Sequence, residues 1–415
     1  MSQDDIGRPL EKLRCAPAPL QSDASRLAAM GRVQRSLTDL SLVHEQLDRV
    51  PHRAADTRLP LFVAVVRSRP EVLEPWVLVQ EGEPPAALFA RIEQRRVPLQ
   101  AFFRTLVSVK GRVLAVVNDG VLGDPRLADE AAAAIDRREA DIVQFMCVRR
   151  GSTVEGALLA SQWRLRRQIG PEMVNLQVGV AGSYSDVVAS RDSRQREGIR
   201  RSRRKLDKSG GGAKIVRFPQ DVDDPDTLLA ALELVSSRGY QRGLRVGFER
   251  DEFHEDIARV GLREGWFRAW VVEIDGAACA YWTAFVFPDL WTLHETAFDE
   301  RHAGLAPGAG LLCHVIEDAC ADASVSDVSF GLGDARYKRD WADQEWFSRD
   351  ITFYRRNLKW TGFVWTQQAV TYSAESFRRR LGDDRVAKLR TWIRKRAASS
   401  ASSDAAQPPT NGAGE

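Results

Sequence analysis

Residues 301–310 have the composition expected of an anion-binding turn at the start of a helix. Pro307 suits the first position of a helix, because its missing N–H would have no partner there anyway. The small residues around it allow a ligand to approach the backbone closely. Free N–H groups of the first helical turn and the helix dipole then favour a pyrophosphate group. The predicted ligand contacts in this turn are Arg301, Gly304, Gly308, Ala309 and Gly310.

A second chemically rich segment, 333–341, follows a predicted strand at 327–331. Its sequence is Gly-Asp-Ala-Arg-Tyr-Lys-Arg-Asp-Trp. Asp334 stands just beyond the strand end, where α/β folds often place functional groups. It could equally cap the short helix that follows. Tyr337 and Trp341 are four residues apart and would share one face of that helix.

Segment 333–341 resembles the Gly-Asp-x-x-Tyr-Lys-x-x-Trp motif of the GNAT-like acyltransferases associated with cellulose and other polysaccharide biosynthesis. These CelD-type proteins are related to the Fem-type peptidyl transferases. The turn at 306–308, Ala-Pro-Gly, is similar to the family's Ser-Pro-Gly entry to its coenzyme-binding helix. The resemblance covers roughly residues 183–360. Two positions depart from the family, with Ala306 in place of Ser and Phe298 in place of Tyr.

The resemblance implies an α/β fold with a mixed sheet, a tandem GNAT-like acyl-CoA N-acyltransferase fold whose N-terminal copy is degenerate. It implies acetyl-CoA or another acyl-CoA as the donor substrate, and an amine or sugar-derived acceptor. A polysaccharide synthase is an expected partner. The two departures remove a helix cap and a hydroxyl from the cleft, so they bear on the acceptor more than on the donor.

Glu295 is the candidate general base, since many GNAT enzymes place one on the corresponding strand. In a regular strand it shares a face with Trp291, Leu293 and Ala297. A carboxylate on an apolar face needs a partner or a function, and a structural ion pair is the alternative role. His294 is expected on the opposite face and is the alternative base.

Asp334 and Tyr337 complete the predicted catalytic set, with Tyr337 as the group that protonates the departing thiolate. Lys338 or Arg336 could hold phosphate or carboxylate groups, and Lys338 is assigned to the coenzyme. Solvation at the surface is the alternative for these charges and the favoured role of Arg339.

A basic segment, 194–208, joins two predicted blocks and ends at a Ser-Gly-Gly-Gly stop. It contains no aromatic residues that could stack on bases. We therefore predict a solvated helix between domains, with binding to nucleic acid or another polyanion as the alternative.

The hydrophobic pattern divides the remaining chain into two α/β blocks. The first has predicted strands at 61–66, 76–80, 105–109, 113–118 and 142–147, and a helix at 127–138. In the second, helices at 228–239 and 252–264 precede strands at 267–274, 277–287 and 290–298, with an Asp275-Gly276 hairpin turn. A helix at 307–321 and strands at 327–331 and 347–354 complete the element order of a GNAT domain.

The predicted organisation has six parts. Residues 1–55 form a flexible leader with one amphipathic helix at 37–47, 56–182 a degenerate GNAT-like domain, and 183–226 a basic connecting helix and linker. The catalytic GNAT-like domain spans 227–360, followed by a helical extension at 361–396. The tail at 397–415 has no aliphatic residue larger than Ala, so disorder is expected there.

Composition limits the class of protein. The 60 basic and 57 acidic residues of this 415-residue chain nearly cancel, to a net charge of +3, so general attraction to nucleic acid or membrane is not expected. We recognise no secretory signal and no apolar run of the roughly 20 residues that span a membrane. The five cysteines lack zinc-type spacing, so we predict no metal site and a cytoplasmic protein with reduced thiols.

Two other functions remain open at this level. The first is Fem-type peptidyl transfer from aminoacyl-tRNA, for which the basic segment is the hint. The second is a catalytically inactive GNAT module that regulates a polysaccharide synthase. The presence of Arg301, Gly304, Asp334 and Lys338 favours a working site that uses acyl-CoA and a small-molecule, sugar or lipid-linked acceptor.

Overall fold

The computed structural model describes residues 32–50, 52, 54–83, 85–101, 104–161, 167–207, 213–239 and 248–381. The expected tail at 397–415, the first 31 residues of the expected leader and the last part of the helical extension lie outside this set. No helix formed by these residues has the length and apolar character needed to cross a membrane.

The first half of the chain places short helices on both sides of long strands. Its strands are β1 (Arg32–Gln34), β2 (Val72–Gln80), β3 (Ala86–Ala101), β4 (Arg104–Leu122), β5 (Ile142–Arg149), β6 (Arg167–Ile169) and β7 (Met173–Gly179). Its helices are α1 (Leu37–Leu42), α2 (His44–Asp48), α3 (Leu59–Ser68), α4 (Leu127–Ala133) and α5 (Thr153–Ala160).

The second half repeats this arrangement after two connecting helices, α6 (Tyr184–Ala189) and α7 (Ser193–Asp207). Its strands are β8 (Lys214–Phe218), β9 (Phe267–Ile274), β10 (Ala277–Phe287), β11 (Asp289–Phe298), β12 (Val325–Leu332) and β13 (Gln344–Tyr354). Its helices are α8 (Pro225–Arg238), α9 (Glu252–Asp256), α10 (Leu262–Glu264), α11 (Pro307–Ala321), α12 (Arg336–Trp341) and α13 (Leu358–Leu381), with a π turn at Ile257–Gly261 between α9 and α10.

Local sequence explains several of these boundaries. Asp224 caps α8 by accepting hydrogen bonds from the backbone N–H groups of Asp226 and Thr227, and Pro225 follows at the first helical position. The turn between β9 and β10 has both Asp275 and Gly276 at positive φ, the geometry that a two-residue hairpin requires. The predicted hairpin is therefore confirmed.

All the strands join one mixed sheet in which the two halves exchange strands. From each outer edge inward, five strands follow one another in chain order. They are β1-β2-β3-β4-β5 in the first half and β8-β9-β10-β11-β12 in the second. β13 then pairs with β5, β7 pairs with β12, and β7 and β13 pair with each other at the centre. β4–β5 and β11–β12 are parallel pairs. Two similar α/β units thus share one continuous sheet.

The strand exchange changes the expected domain boundaries. If the chain is divided into domains 56–182 and 227–360, β7 falls in one domain and β12, the strand with which β7 pairs, falls in the other. A fragment that starts at residue 183 would expose the edges of β12 and β13, whose backbone groups need partners. The halves are structural repeats that complete each other.

Residues 32–50 belong to the first half, and the expectation of a flexible leader is wrong for them. β1 pairs with β2, and Leu40, Leu47 and Val50 are no more than 2% exposed. The predicted helix at 37–47 forms two short helices that meet at Val43.

The apolar run 61–66, predicted as a strand, lies in α3. Pro60 occupies the first turn of this helix, where proline is tolerated. The buried residues Leu61, Phe62 and Ala64 follow helical spacing and not the alternation of a half-buried strand. A short apolar run does not by itself distinguish the two structures.

The basic helix α7 is not a solvated connector, because it packs along α11. Ile199 and Leu206 are buried, and Arg203 donates a 2.8 Å hydrogen bond to Glu317. Gly310 is the point of closest approach, since a Cβ there would lie 2.8 Å from the Cβ of Leu206 and 3.0 Å from the carbonyl oxygen of Ser202.

Replacing Gly310 with Ala should therefore push α7 and α11 apart. Overpacking of this kind costs about 1–3 kcal/mol of unfolding free energy. Gly308→Ala is the matched control, because it gains the same helix propensity and its Cβ would meet only Phe298, at 3.8 Å. Urea unfolding of both variants measures the difference. Equal stabilities would contradict this account of the helix contact.

Candidate active site in the second half

The parallel strands β11 and β12 separate partway along their length. They are paired from Asp289–Thr292 to Val325–Ser329, and no pair joins them beyond Thr292 and Ser329 in the described structure. β11 remains bonded to β10 on its other side, and β12 to β7. The separation therefore opens a gap in the sheet without breaking it, and backbone groups along this gap are available to a ligand.

The helix α11 begins beside this gap with an uncapped N-terminus. Its N-cap residue, Ala306, has φ 50° and ψ 49°, and no side chain caps the helix. A non-glycine residue in this left-handed region is uncommon, and such residues are enriched at functional sites. Since Pro307 carries no N–H, the first-turn N–H groups that follow it form a local anion site.

The three small residues of the α11 turn have different surroundings. Gly308 faces open space next to Phe298, and its carbonyl accepts a 2.9 Å hydrogen bond from the Trp282 indole. Ala309 is half-buried. Gly310 faces α7 and is needed for helix packing, so it does not line the ligand side of the turn. Gly308 is the residue of this group that is placed to allow close ligand approach.

Two cations lie at the same turn. Arg301, predicted as a phosphate contact, donates hydrogen bonds of 3.0 Å from Nε and from its backbone N–H to the buried carboxylate of Asp299. Lys205, near the end of α7, donates a 3.2 Å hydrogen bond to the carbonyl of Gly304 and is exposed. The sequence analysis missed Lys205, because the packing of α7 on α11 was not predicted.

The segment 333–341 contributes one aromatic group to this region. The ring of Tyr337 lies 5.8 Å from that of Trp282 in an edge-to-face contact, and Trp282 in turn donates to Gly308. Tyr337 is half-buried at the side of the sheet that holds α11. The structure thus brings Tyr337 close to the predicted phosphate turn.

Asp334 and Lys338 have partners other than the predicted ones. Asp334 is exposed and paired with Arg339 at 2.6 Å, which lowers the pKa of its carboxyl group. Ala335, and not Asp334, is the N-cap of α12. Lys338 is 8% exposed, and its ammonium donates a 2.7 Å hydrogen bond to the carbonyl of Leu332. Burial lowers its pKa, opposed by the charge of Asp334.

A β-bulge in β11 reverses one expected orientation. Thr296 pairs with Trp282 and Leu293 with Ala284, so His294 and Glu295 together oppose the single residue Thr283. A bulge changes which face of the strand each following residue occupies. His294 and Glu295 consequently lie on the same side, toward α8 and α9. The expectation that Glu295 shares a face with Trp291, and that His294 faces away from it, is wrong.

Glu295 forms a hydrogen-bond network with His254 of α9 and with Asp251, the N-cap residue of that helix. Its Oε1 lies 3.3 Å from Nε2 of His254, and Nδ1 of His254 lies 2.6 Å from the Oδ1 of Asp251. Asp251 also accepts the backbone N–H of His254 at 2.9 Å. The rings of Phe248 and Phe253 contact the imidazole of His254 at centroid distances of 4.9 and 5.3 Å. The orientation of His254 is therefore fixed on both sides.

The charges of this network shift the pKa values of its members. Burial favours neutral groups, but the bonds and charges of Glu295 and Asp251 outweigh it and raise the pKa of His254 above 6.5. For Glu295, burial raises the pKa, while the hydrogen bond from His254 and the neighbouring histidines lower it more, to a net decrease from 4.5. Partial desolvation lowers the pKa of His294. The charges of Glu295 and Asp251 thus favour a proton on His254, beside the Glu295 carboxylate.

The side chains of His254, His294 and Glu295 are of types that can bind a metal ion, and their ring nitrogens and carboxylate oxygen lie within 4.8 Å of one another. Nε2 of His294 is 4.0 Å from Oε1 of Glu295, which exceeds the separation of about 3.3 Å between ligands bound tetrahedrally to zinc at 2.0–2.1 Å. The 3.3 Å contact between His254 and Glu295 is a hydrogen bond. A proton between His254 and Glu295 accounts for this contact.

The first half contains a corresponding gap. β4 and β5 are paired only from Val113–Val116 to Ile142–Phe145, and a cavity of about 300 Å³ lies between their diverging ends, lined in part by Asp119 and Arg149. The turn before α4 differs chemically from that before α11. Asp124 stands there, paired with Arg126, and a carboxylate at this position disfavours phosphate.

Comparison with known proteins agrees with this architecture. Residues 193–339 match the family model described as an acetyltransferase (GNAT) domain, and no curated protein matches the sequence. The crystal structure of FemX superposes with a TM-score of 0.50 and 9% identity, over 76% of this chain and 95% of that chain. The chain therefore contains a GNAT domain within a tandem α/β fold, and the predicted fold class is confirmed.

Two further solved structures are similar at lower scores. A tandem GNAT protein from the clavulanic acid biosynthesis pathway, solved without AcCoA, has a TM-score of 0.45 and 14% identity over 79% of this chain and 99% of its own. A conserved protein of unknown function from Bacteroides thetaiotaomicron has a TM-score of 0.49 and 10% identity over 78% of this chain and 100% of its own.

The bulge that orients Glu295 should depend on Thr283. The Thr283 hydroxyl, in a residue 1% exposed, accepts the backbone N–H of Glu295 at 2.9 Å. Thr283→Val leaves that N–H without its partner, and we expect a loss of about 1–3 kcal/mol in unfolding free energy.

Thr292→Val is the control for this prediction. Thr292 lies on β11, the strand that contains the bulge, and its hydroxyl has no hydrogen-bond partner among the residues that the structure describes. The same substitution there should change stability by less than about 0.5 kcal/mol. Chemical denaturation compares the two variants. An unchanged unfolding free energy in Thr283→Val would show that the bulge is held by other contacts.

Proposed function

We propose that this protein is an acyl-CoA-dependent acyltransferase whose reaction takes place in the second half. The observation that carries the proposal is the uncapped start of α11, with left-handed Ala306 and open Gly308, beside the gap between β11 and β12. Such a helix start suits the pyrophosphate of coenzyme A. The pantetheine chain would lie in the gap, where unpaired backbone groups can bind its amides.

The gap connects the two faces of the sheet, and each face supplies different chemistry. α11, Lys205 and Tyr337 lie on the donor face, while Glu295 lies on the face covered by α8 and α9. An acceptor amine on that face would attack the thioester carbonyl carbon. The C–N bond forms, the C–S bond breaks, and Glu295 receives the proton from nitrogen. Tyr337 would protonate the departing thiolate, and backbone N–H groups along the gap would stabilise the oxyanion.

The donor set in this proposal differs from the sequence-based one. Lys205 replaces Lys338, because Lys338 is buried against the Leu332 carbonyl. Gly310 is excluded because α7 covers it. The acceptor remains an amine or hydroxyl compound. The motif at 333–341 supports an acceptor from polysaccharide or cell-envelope biosynthesis, and a catalytically inactive regulatory module is the outcome if acyl-CoA binds without turnover.

The coenzyme site is tested by calorimetry with acetyl-CoA and longer acyl-CoAs. Gly308→Leu should reduce affinity at least about 10-fold, equivalent to about 1.4 kcal/mol, because the side chain blocks approach to the first-turn N–H groups. Lys205→Gln should lose about 0.2–1 kcal/mol, as expected for an exposed charge contact. Gly198→Leu and Lys214→Gln are the matched controls. Wild-type affinity in both test variants would refute this placement.

A second candidate function is peptidyl transfer from aminoacyl-tRNA. The exposed arginines of α7 favour it, namely Arg194, Arg200, Arg201 and Arg204, as does the similarity in fold to FemX. These side chains form a basic surface on the helix that packs against the predicted donor site. An anionic donor larger than coenzyme A could use it.

Gel-shift titration with bulk tRNA distinguishes the two functions. Under the acyl-CoA proposal, wild-type protein binds tRNA weakly at about 150 mM salt, and replacing Arg200, Arg201 and Arg204 with Gln leaves acyl-CoA affinity within about 2-fold. Arg203 is kept, because it pairs with Glu317. Tight, salt-resistant tRNA binding that the triple variant abolishes would favour the aminoacyl-tRNA donor instead.

A further inference from the structure

Glu295 alone is a weak proton acceptor for an amine. Burial raises the pKa of Glu295, but the hydrogen bond from protonated Nε2 of His254 and the nearby histidines lower it more, to below 4.5. Effective general bases have a pKa near the working pH. If the reaction is the acyl transfer proposed above, a second group with a higher proton affinity must stabilise the proton that Glu295 receives.

His254 is placed to be that group. Its Nε2 lies 3.3 Å from the Oε1 of Glu295, and its Nδ1 is held by Asp251 at 2.6 Å. With Nδ1–H donating to Asp251, a neutral ring directs the lone pair of Nε2 at the Glu295 carboxylate, and two acceptors at this distance repel each other. A proton on Nε2 removes that repulsion. The site therefore has a defined place for one additional proton.

We propose that His254 is the terminal proton acceptor of the transfer reaction, reached through Glu295 and stabilised by Asp251. The N–H bond of the attacking amine breaks, the proton passes across the Glu295 carboxylate, and an N–H bond forms at Nε2 of His254. Glu295 is left as the carboxylate and His254 as the imidazolium. No electron transfer or additional reactant is needed. Asp251 acts as a positioning residue, because it touches His254 and not the reacting atoms.

The other charged and titratable groups around His254 set its proton affinity. On β11, Glu295 attracts the proton, and partial desolvation lowers the pKa of His294. On the N-terminal side of α9, Asp251 is partly balanced by Arg69, 3.5 Å away. On β10, Tyr281 is bonded to Ser236 of α8, and burial raises its pKa, so it remains neutral. The net field of these groups favours the imidazolium form.

Only the form with neutral His254 accepts a proton, so the reaction rate should rise with pH through a value above 6.5. Removing the Asp251 charge lowers the stability of the imidazolium form of His254. The pH range over which the rate rises (the pH limb) should therefore move to lower pH. Replacing His254 leaves Glu295 as the sole base, so the limb should disappear and kcat should fall by about 10²-fold. The acetyl-CoA KM should not change, because His254 lies on the opposite face from α11.

The first test is a pH titration of the histidine side chains by NMR in the full-length protein, with the His254 resonance assigned from the His254→Gln variant among the six histidines. We expect His254 to titrate above 6.5, and to move to lower pH in both Glu295→Gln and Asp251→Asn. His44→Gln, a change at an exposed histidine of the first half, should leave it in place. Titration at or below 6.5 in the wild type overturns the proposal.

The second test follows thiol release from acetyl-CoA with benzylamine as a surrogate acceptor, as a function of pH. Loss of the pH limb in His254→Gln, with unchanged acetyl-CoA KM, supports the relay, and an unchanged limb overturns it. A merely structural role of His254 would lower kcat at every pH without moving the limb. Calorimetry with acetyl-CoA separates the His254 proposal from the proposed acyltransferase function. If His254 titrates as expected but the protein binds no acetyl-CoA, the proton site is supported and the acyl-CoA-dependent function is refuted.

Discussion

The exchange of β7 and β13 between the two halves is the constraint on which the rest of the structure depends. β11 and β12 can separate because each has a strand partner on its outer side, β11 with β10 and β12 with β7. Without β7, the part of β12 beyond Ser329 would lack strand partners on both of its edges, and unpaired backbone groups of this kind are costly. The first half thus supplies the strand that supports one side of the gap.

Much of the second half could be predicted from local patterns. β9, β10 and α11 have the predicted bounds, because Asp275-Gly276 specifies a hairpin and Pro307 specifies a helix start. The central strands β6 and β7 were not predicted, since their partners lie far away in sequence and pairing is a tertiary property. The strand predicted at 61–66 was wrong for a different reason, because the apolar residues of this run fit a buried strand and a buried helix equally.

The candidate site shows the same division between local and long-range information. The turn before α11 was recognisable from composition. The position of Lys205 beside that turn was not, because it depends on the contact between Gly310 and Leu206, where α7 packs on α11. Glu295 was identified by its charge in an apolar strand. Its orientation was not, because a bulge cannot be deduced from alternation, and His254 stands 41 positions away in the chain. Strand period assigned Glu295 to the face that it does not occupy.

The two halves share a frame and differ at the positions that would carry chemistry. Both have diverging parallel strands followed by a helix, and the gap of the first half holds a cavity of about 300 Å³. Yet the helix after β4 is preceded by Asp124, which is tied to Arg126, while the helix after β11 is preceded by uncapped Ala306 and open Gly308. A carboxylate repels a pyrophosphate, and free N–H groups attract it. Duplication of the fold therefore does not imply duplication of the proposed donor site, and the chemical difference lies in two short turns.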